Sequence, residues 1–242
     1  MKVAVAISGA ARSGLSGRDL RRNYLRLKEN FPKADFFLGS WFDYREVMNN
    51  FFPEETVYFF KEPEMNYHPF LEIDRGEFET TKIDKAIRNA QNNPKFLETS
   101  LHQTKQIIAH AIMKSIIPED YDVLVRARFD TLTFEDADFT PFIEDAYKNK
   151  RAIGFATLNP GDFARTHEMK NNNYVKNFIF DQLIIHSNKI FNPSYVYGLH
   201  KDKKLVAAEY GWWQVLSKDY GDNHRCINGW ANPDKSVAGI YL

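Results

Sequence analysis

With 242 residues the chain is long for one small domain and short for two full ones, so a single α/β domain with insertions is expected. Apolar residues make up 43%, enough for a sizeable core, and 26% charged residues is ordinary for a soluble protein. A formal net charge of zero argues against a general polyanion binder.

That zero conceals two opposed segments. Residues 12–33 carry seven cations against Asp19 and Glu29, a balance of +5, and residues 54–79 carry eight acids against Lys61 and Arg75, a balance of −6. They read as oppositely charged solvated faces, and the basic one follows the first strand, where it can also attract phosphate. The one cysteine, Cys226, excludes an intrachain disulfide and suits a reducing cytosol. The N-terminal apolar run is too short for a signal-peptide core, and no stretch approaches the ~20 apolar residues that cross a bilayer, so the expected location is cytoplasmic.

In chain order, residues 3–7 form a continuous apolar run, as in a strand covered on both faces. A small-residue turn, 8–14, leads into a helix over 17–30, whose Leu20, Tyr24, Leu27 and Phe31 make one apolar stripe. Pro32 ends that helix, and 34–41 and 56–60 read as the second and third strands. Residues 62–98 are polar and acidic, an expected insertion. Ser100 and Gln103 have capping-box spacing at the start of a helix that stops at Pro118. Residues 121–128 form a central strand running into Phe129-Asp130-Thr131, and 151–158 form another. Residues 159–177 read as a flexible loop able to close over a ligand, 181–186 as a short strand, 206–217 as a helix, and the chain after Tyr220 as loop. The alternation implies an α/β fold with a mainly parallel sheet and right-handed crossovers.

In such a sheet the ligand sits beyond the carboxyl ends of the strands, where Ser8, Gly9 and Arg12 on one turn and Arg128 and Asp130 on another belong. Small residues let backbone approach a nucleotide, and a following helix start offers N–H groups to phosphate. There is neither a full GxGxxG nor a GxxxxGK[ST], so the dinucleotide and P-loop patterns are absent. Asp130, at a buried strand's exit, suits either a turn cap or a divalent-cation ligand.

The segments KVAVAISGAAR (2–12), ADFFLGSW (34–41), YDVLVRARFDT (121–131) and DQLIIHS (181–187) together resemble GT-A-fold glycosyltransferases, nearest in character to bacterial and phage enzymes of lipopolysaccharide or capsule polysaccharide synthesis. The resemblance implies a GT-A-like fold and a nucleoside-diphosphate sugar lying over the N-terminal half of the sheet. It also implies an Asp-x-Asp that holds Mn²⁺ or Mg²⁺ against the diphosphate. Here the first acid of that motif is Arg128, which leaves Asp130 and makes the arginine itself a partner for diphosphate. A second metal ligand implied near the C-terminus is His224, or its rival His200.

The base implied for deprotonating an acceptor hydroxyl is Glu209, near a helix start, where an acid also serves the helix end. Asp181-Gln182 resembles the family's donor-sugar or acceptor contacts. Trp212-Trp213 suits a sugar platform or a core position equally. The resulting reading is a hexosyl- or pentosyltransferase acting on a glycan or other hydroxyl. Its alternatives are a sugar nucleotidyltransferase and a non-catalytic nucleotide- or sugar-binding module. The basic 12–33 segment admits a modified DNA base as acceptor, against which the zero net charge weighs.

Overall fold

The computed structural model describes residues 1–10, 17–65, 73–74, 94–133, 137–156, 167–168, 179–202, 205–206, 208–228 and 240–241. In chain order the first elements are β1 (Val3–Ser8), α1 (Gly17–Asn30), β2 (Asp35–Trp41), α2 (Arg45–Phe51), β3 (Val57–Phe60), β4 (Ile73–Asp74), α3 (Pro94–Ile116), β5 (Val123–Ala127) and β6 (Leu132–Thr133). Then come α4 (Thr140–Asn149), β7 (Ala152–Ala156), β8 (His167–Glu168), β9 (Leu183–Ser187), α5 (Pro193–Asp202), β10 (Leu205–Val206), α6 (Ala208–Leu216), β11 (His224–Asn228) and β12 (Ile240–Tyr241).

The main sheet has the order β3-β2-β1-β5-β9-β7-β11-β8. Pairing is parallel from β3 through β5. β9 runs antiparallel to both β5 and β7, and β7 pairs in parallel with β11. The reversed strand therefore leaves β7 and β11 pointing the same way as β5, and the amino end of β9 lies at the carboxyl edge of its neighbours. The α/β class expected from the alternation, a mainly parallel sheet flanked by helices, is borne out.

Alternating side chains divide the core between the two faces, as the pleat requires. Val3, Val5 and Ile7 of β1 and Val123, Val125 and Ala127 of β5 pack with Leu20, Tyr24 and Leu27 of α1 and with Met48 of α2. Ala146 of α4 joins the same cluster. On the other face Ala4 and Ala6 lie under Met113 of α3, and Ile184 of β9 packs with Ile107, Val196 and Trp212 from α3, α5 and α6. Gly39 of β2 lets α3 approach closely: a Cβ there would sit 2.8 Å from the Phe60 ring, with the Met113 sulfur nearer still.

Several expectations change. α3 starts at Pro94 rather than at Ser100, so the capping-box pair lies inside the helix. Residues after Tyr220 are not loop throughout, because β11 adds a strand beside β7 with Cys226 and Ile227 buried. β4, within the expected 62–98 insertion, pairs with β10, and β8, within the expected 159–177 loop, pairs with β11. Residues 66–72 and 75–93 of the first segment and 159–166 and 169–177 of the second lie outside the described residues. α2, α4 and α5 had no counterpart in the pattern of the sequence. Among the described residues no helix is long and apolar enough to cross a membrane.

Candidate functional site

The carboxyl ends of β1 and β5, the amino end of β9 and the first turn of α6 converge at one edge of the sheet. At the exit of β1, Ser8 is buried and Gly9 has φ +118°, a backbone conformation L side chains rarely adopt. Gly9 is tied to β2 on both sides: its N–H donates to the Gly39 carbonyl at 3.2 Å, and its own carbonyl accepts from the Ser40 hydroxyl at 3.0 Å. Arg12 lies outside the described residues.

The chain leaving β5 closes a turn in which the Thr131 N–H donates to the Arg128 carbonyl at 3.1 Å. The Arg128 N–H donates to the Thr131 hydroxyl oxygen, also at 3.1 Å. Asn23 of α1 holds the turn by donating to the Phe129 carbonyl at 3.1 Å, with the Phe129 ring in the core. Thr131 in turn donates its hydroxyl to the Gln182 carbonyl at 3.0 Å, fastening this turn to the approach of β9.

On that scaffold Arg128 grips Asp130 with two guanidinium nitrogens, Nε to Oδ1 at 2.6 Å and Nη2 to Oδ2. Its third nitrogen faces the Asp181 carboxylate at 3.9 Å. Burial alone would lower the Arg128 pKa, but the hydrogen bond to Asp130 and the charges of Asp130 and Asp181 outweigh it and raise the pKa. Glu209 sits in the first turn of α6, and its carbonyl accepts from the Ile179 N–H at 3.1 Å, which brings α6 against the segment carrying Asp181. Burial, then the negative charge of Asp181, pushes the Glu209 carboxyl up to about 7. A carboxyl poised there can take or give a proton near neutral pH.

The structure thus brings Arg128, Asp130, Asp181 and Glu209 together, at the edge that also carries Ser8 and Gly9. It does not bring His224 there. His224 opens β11 in register with Ala152, and Ala152 is level with His186 of β9 and so with Leu124 near the start of β5. Asp130 lies beyond the other end of β5. The His224 ring is held by Ser217 at 2.8 Å and faces Asp222 at 3.5 Å. His200 is exposed near the end of α5. The tryptophan pair is core: Trp212 is fully buried, and Trp213 stacks on Tyr210 and donates its indole N–H to Asp222.

The Mn²⁺ or Mg²⁺ implied by the resemblance does not fit this arrangement. Both oxygens of Asp130 are taken by Arg128, Asp181 faces the same guanidinium, and among the described residues no group of three His, Cys, Asp or Glu side chains is placed to hold a metal ion.

One residue of the site escaped the sequence reading. Arg126, on β5, is fully buried, and its guanidinium donates to the Asp181 carbonyl and, at 2.5 Å, to the Gln106 side-chain oxygen of α3. It lies 5.0 Å from the Trp212 ring centroid, within cation–π range. The signal was available: an arginine in the middle of an otherwise apolar strand, VLVRA, must find partners inside the protein.

No protein-family model matches the chain, and no curated protein sequence does. Among solved structures it is similar to 4-diphosphocytidyl-2C-methyl-D-erythritol synthase from Anaerococcus prevotii, at 11% identity and a TM-score of 0.49, covering 97% of this chain and 93% of that one. It is also similar to the inositol-1-phosphate CTP transferase from T. maritima, at 11% identity and a TM-score of 0.47, covering 99% and 88%. Mouse xyloside xylosyltransferase 1 is similar at 9% identity and a TM-score of 0.43, covering 92% and 83%.

Proposed function

We propose that the chain is a glycosyltransferase that moves a hexosyl or pentosyl group from a nucleoside-diphosphate sugar to an acceptor hydroxyl, on a glycan in the first instance. The observation that carries this reading is the placement of the half-buried Arg128, gripped by Asp130, with the Asp181 and Glu209 carboxyls at the edge where an open sheet receives ligands. Departure of a nucleoside diphosphate builds negative charge on phosphate oxygens. Arg128, held by Asp130 through one edge of its guanidinium, supplies compensating charge from the other edge. Glu209 takes the proton of the attacking hydroxyl, and Asp181 keeps its carboxyl poised to do so. Asp130 holds the Arg128 fork in register, and the Gly9 turn lets the phosphates approach the backbone.

The Arg128 guanidinium would equally suit the phosphates of a nucleoside triphosphate, so nucleotidyl transfer to a sugar phosphate is the second reading. The test is incubation with a panel of nucleoside-diphosphate sugars, with and without Mn²⁺. Slow release of nucleoside diphosphate supports glycosyl transfer. Exchange dependent on pyrophosphate would replace it with nucleotidyl transfer, and binding without turnover would reduce the protein to a binding module. Shifts of the Ser8, Gly9, Arg128 and Asp130 amides on adding uridine or guanosine diphosphate are expected. Shifts confined to other residues would sink the site.

A further inference from the structure

Residues 179–182 precede the ladder of β9, which begins at Leu183, yet they carry Asp181 into the site. Four anchors fix this irregular stretch. The Ile179 N–H donates to the Glu209 carbonyl at 3.1 Å, and the Gln182 carbonyl accepts from Thr131 at 3.0 Å. Gly154 of β7 presents bare backbone to the stretch: a Cβ there would lie 2.5 Å from the Phe180 carbonyl oxygen and 2.7 Å from its nitrogen. The fourth anchor is the fully buried Arg126 guanidinium, which donates to the Asp181 carbonyl.

Arg126 is oriented in its turn. Gln106 of α3 takes a second nitrogen at 2.5 Å, and the Trp212 ring of α6 flanks the guanidinium at 5.0 Å. A planar guanidinium bridges two acceptors in a fixed geometry with its face against a ring, whereas an ammonium group is a compact point charge with no flat face and no fixed fork. Burial lowers the Arg126 pKa to about 10, so it is charged throughout the physiological range, its charge balanced by Asp181 and Asp130. The path from α3 through Arg126 to Asp181 therefore runs beneath the site without entering it.

We infer that Arg126 is a positioning residue: held by Gln106 and Trp212, its guanidinium fixes where Asp181 presents its carboxylate to Arg128 and Glu209. The inference rests on the reading of Asp181 and Glu209 as working carboxylates only for its kinetic consequence, not for its structural one.

Arg126→Lys keeps the charge and removes the fork, and Gln106→Leu leaves the guanidinium in place without its guide. Hydrogen exchange of the Ile179 amide should rise by about tenfold or more in Arg126→Lys and less in Gln106→Leu, with the Val125 amide of the same strand unchanged. In steady-state assays with the donor found active for the parent, turnover should fall by about 10- to 100-fold, because misplacing a reacting group by about 1 Å has that scale of effect. The KM for donor should stay within about twofold, since Arg126 touches no substrate. Unaltered Ile179 exchange in both variants overturns the inference, as does faster exchange with parental turnover. If Arg126→Lys does not fold, Gln106→Leu decides by the same two readouts. Faster exchange in a protein whose parent transfers nothing from any donor supports the positioning role and sinks the proposed function instead.

Discussion

The sheet face under α1, α2 and α4 is lined by Val5, Ile7, Val125, Ile153, Phe155 and Leu183, with polar groups such as Asn23 and Thr133 only toward its rim. The opposite face, under α3, α5 and α6, buries His110, His186, Arg126 and Gln214 among its apolar residues. On that face His110 and His186 meet through their Nε2 atoms at 3.1 Å, and His186 Nδ1 lies 2.9 Å from the Ser187 carbonyl. A carbonyl only accepts, so His186 carries its proton on Nδ1, and His110 must donate through Nε2. Both rings are then neutral, as their burial demands. One face holds the sheet together, and the other also holds Arg126 beneath the site and, toward the opposite edge of the sheet, a histidine pair in a chosen protonation state. Stability and chemistry should therefore respond separately to changes on the two faces.

The largest effect expected is on chemistry. Glu209→Gln removes the proton acceptor and keeps the shape, so turnover should fall by about 10²–10⁴-fold with donor affinity nearly intact. A base is active when deprotonated. With its carboxyl raised to about 7, the parent's rate should therefore fall as pH drops through about 7, not through the usual carboxylate range. Full activity in Glu209→Gln at saturating substrates would remove this residue from the mechanism.

On the apolar face, Ile153→Ala should lower unfolding free energy by about 2–5 kcal/mol, the range for emptying a fully buried aliphatic position. The loss should be the same at pH 8 and pH 5, measured by denaturant titration, because Tyr24 in that cluster and Tyr44 against it both have raised pKa values and stay protonated across that range. A pH-dependent loss would contradict the division between the faces.

The histidine pair should show the converse. Burial depresses both pKa values, that of His186 from 6.5 to about 4. The unfolded chain thus binds protons first, and stability present above pH 6.5 is lost as pH falls toward 4. For His186 the loss should reach about 3 kcal/mol by pH 4. Replacing both rings, as His110→Phe with His186→Leu, should flatten this part of the stability–pH curve. An equal slope in parent and double variant would show that the pair does not govern it.

The same contrast explains how much could be read from the sequence. β1, β2, β5 and α1 were legible because continuous or helically spaced apolar residues record burial directly. Arg128, Asp130, Asp181 and Glu209 were legible because they are polar residues at the borders of such elements. The reversal of β9 leaves no mark in its own residues, because strand direction is settled by which neighbours it pairs with. β11, with His224 and Arg225 in its first two positions, lacks the apolar run that identified β1. Arg126 was marked by its place in an apolar strand, but its partner Gln106, 20 residues away on a helix that reads as structural, shows only where the two meet.

The smallest effect concerns the two glycines at the site edge, which serve different ends. At Gly154 a Cβ would strike the backbone of Phe180, so alanine there must displace the stretch that carries Asp181. At Gly9 a Cβ would meet nothing within 4 Å among the described residues, and the φ of +118° stands against it. Gly9→Ala should therefore fold, with a stability loss of about 1–2 kcal/mol from backbone strain alone. If the chain relieves that strain by turning the Gly9 peptide, the bonds to Gly39 and Ser40 are lost, and nucleoside-diphosphate affinity should fall with stability. Calorimetric titration with uridine diphosphate, alongside thermal unfolding, separates the outcomes. Lower stability with parental affinity would mean that the Gly9 turn supports the sheet edge without touching the nucleotide. Parental values of both would mean that the turn at the end of β1 does not need its glycine.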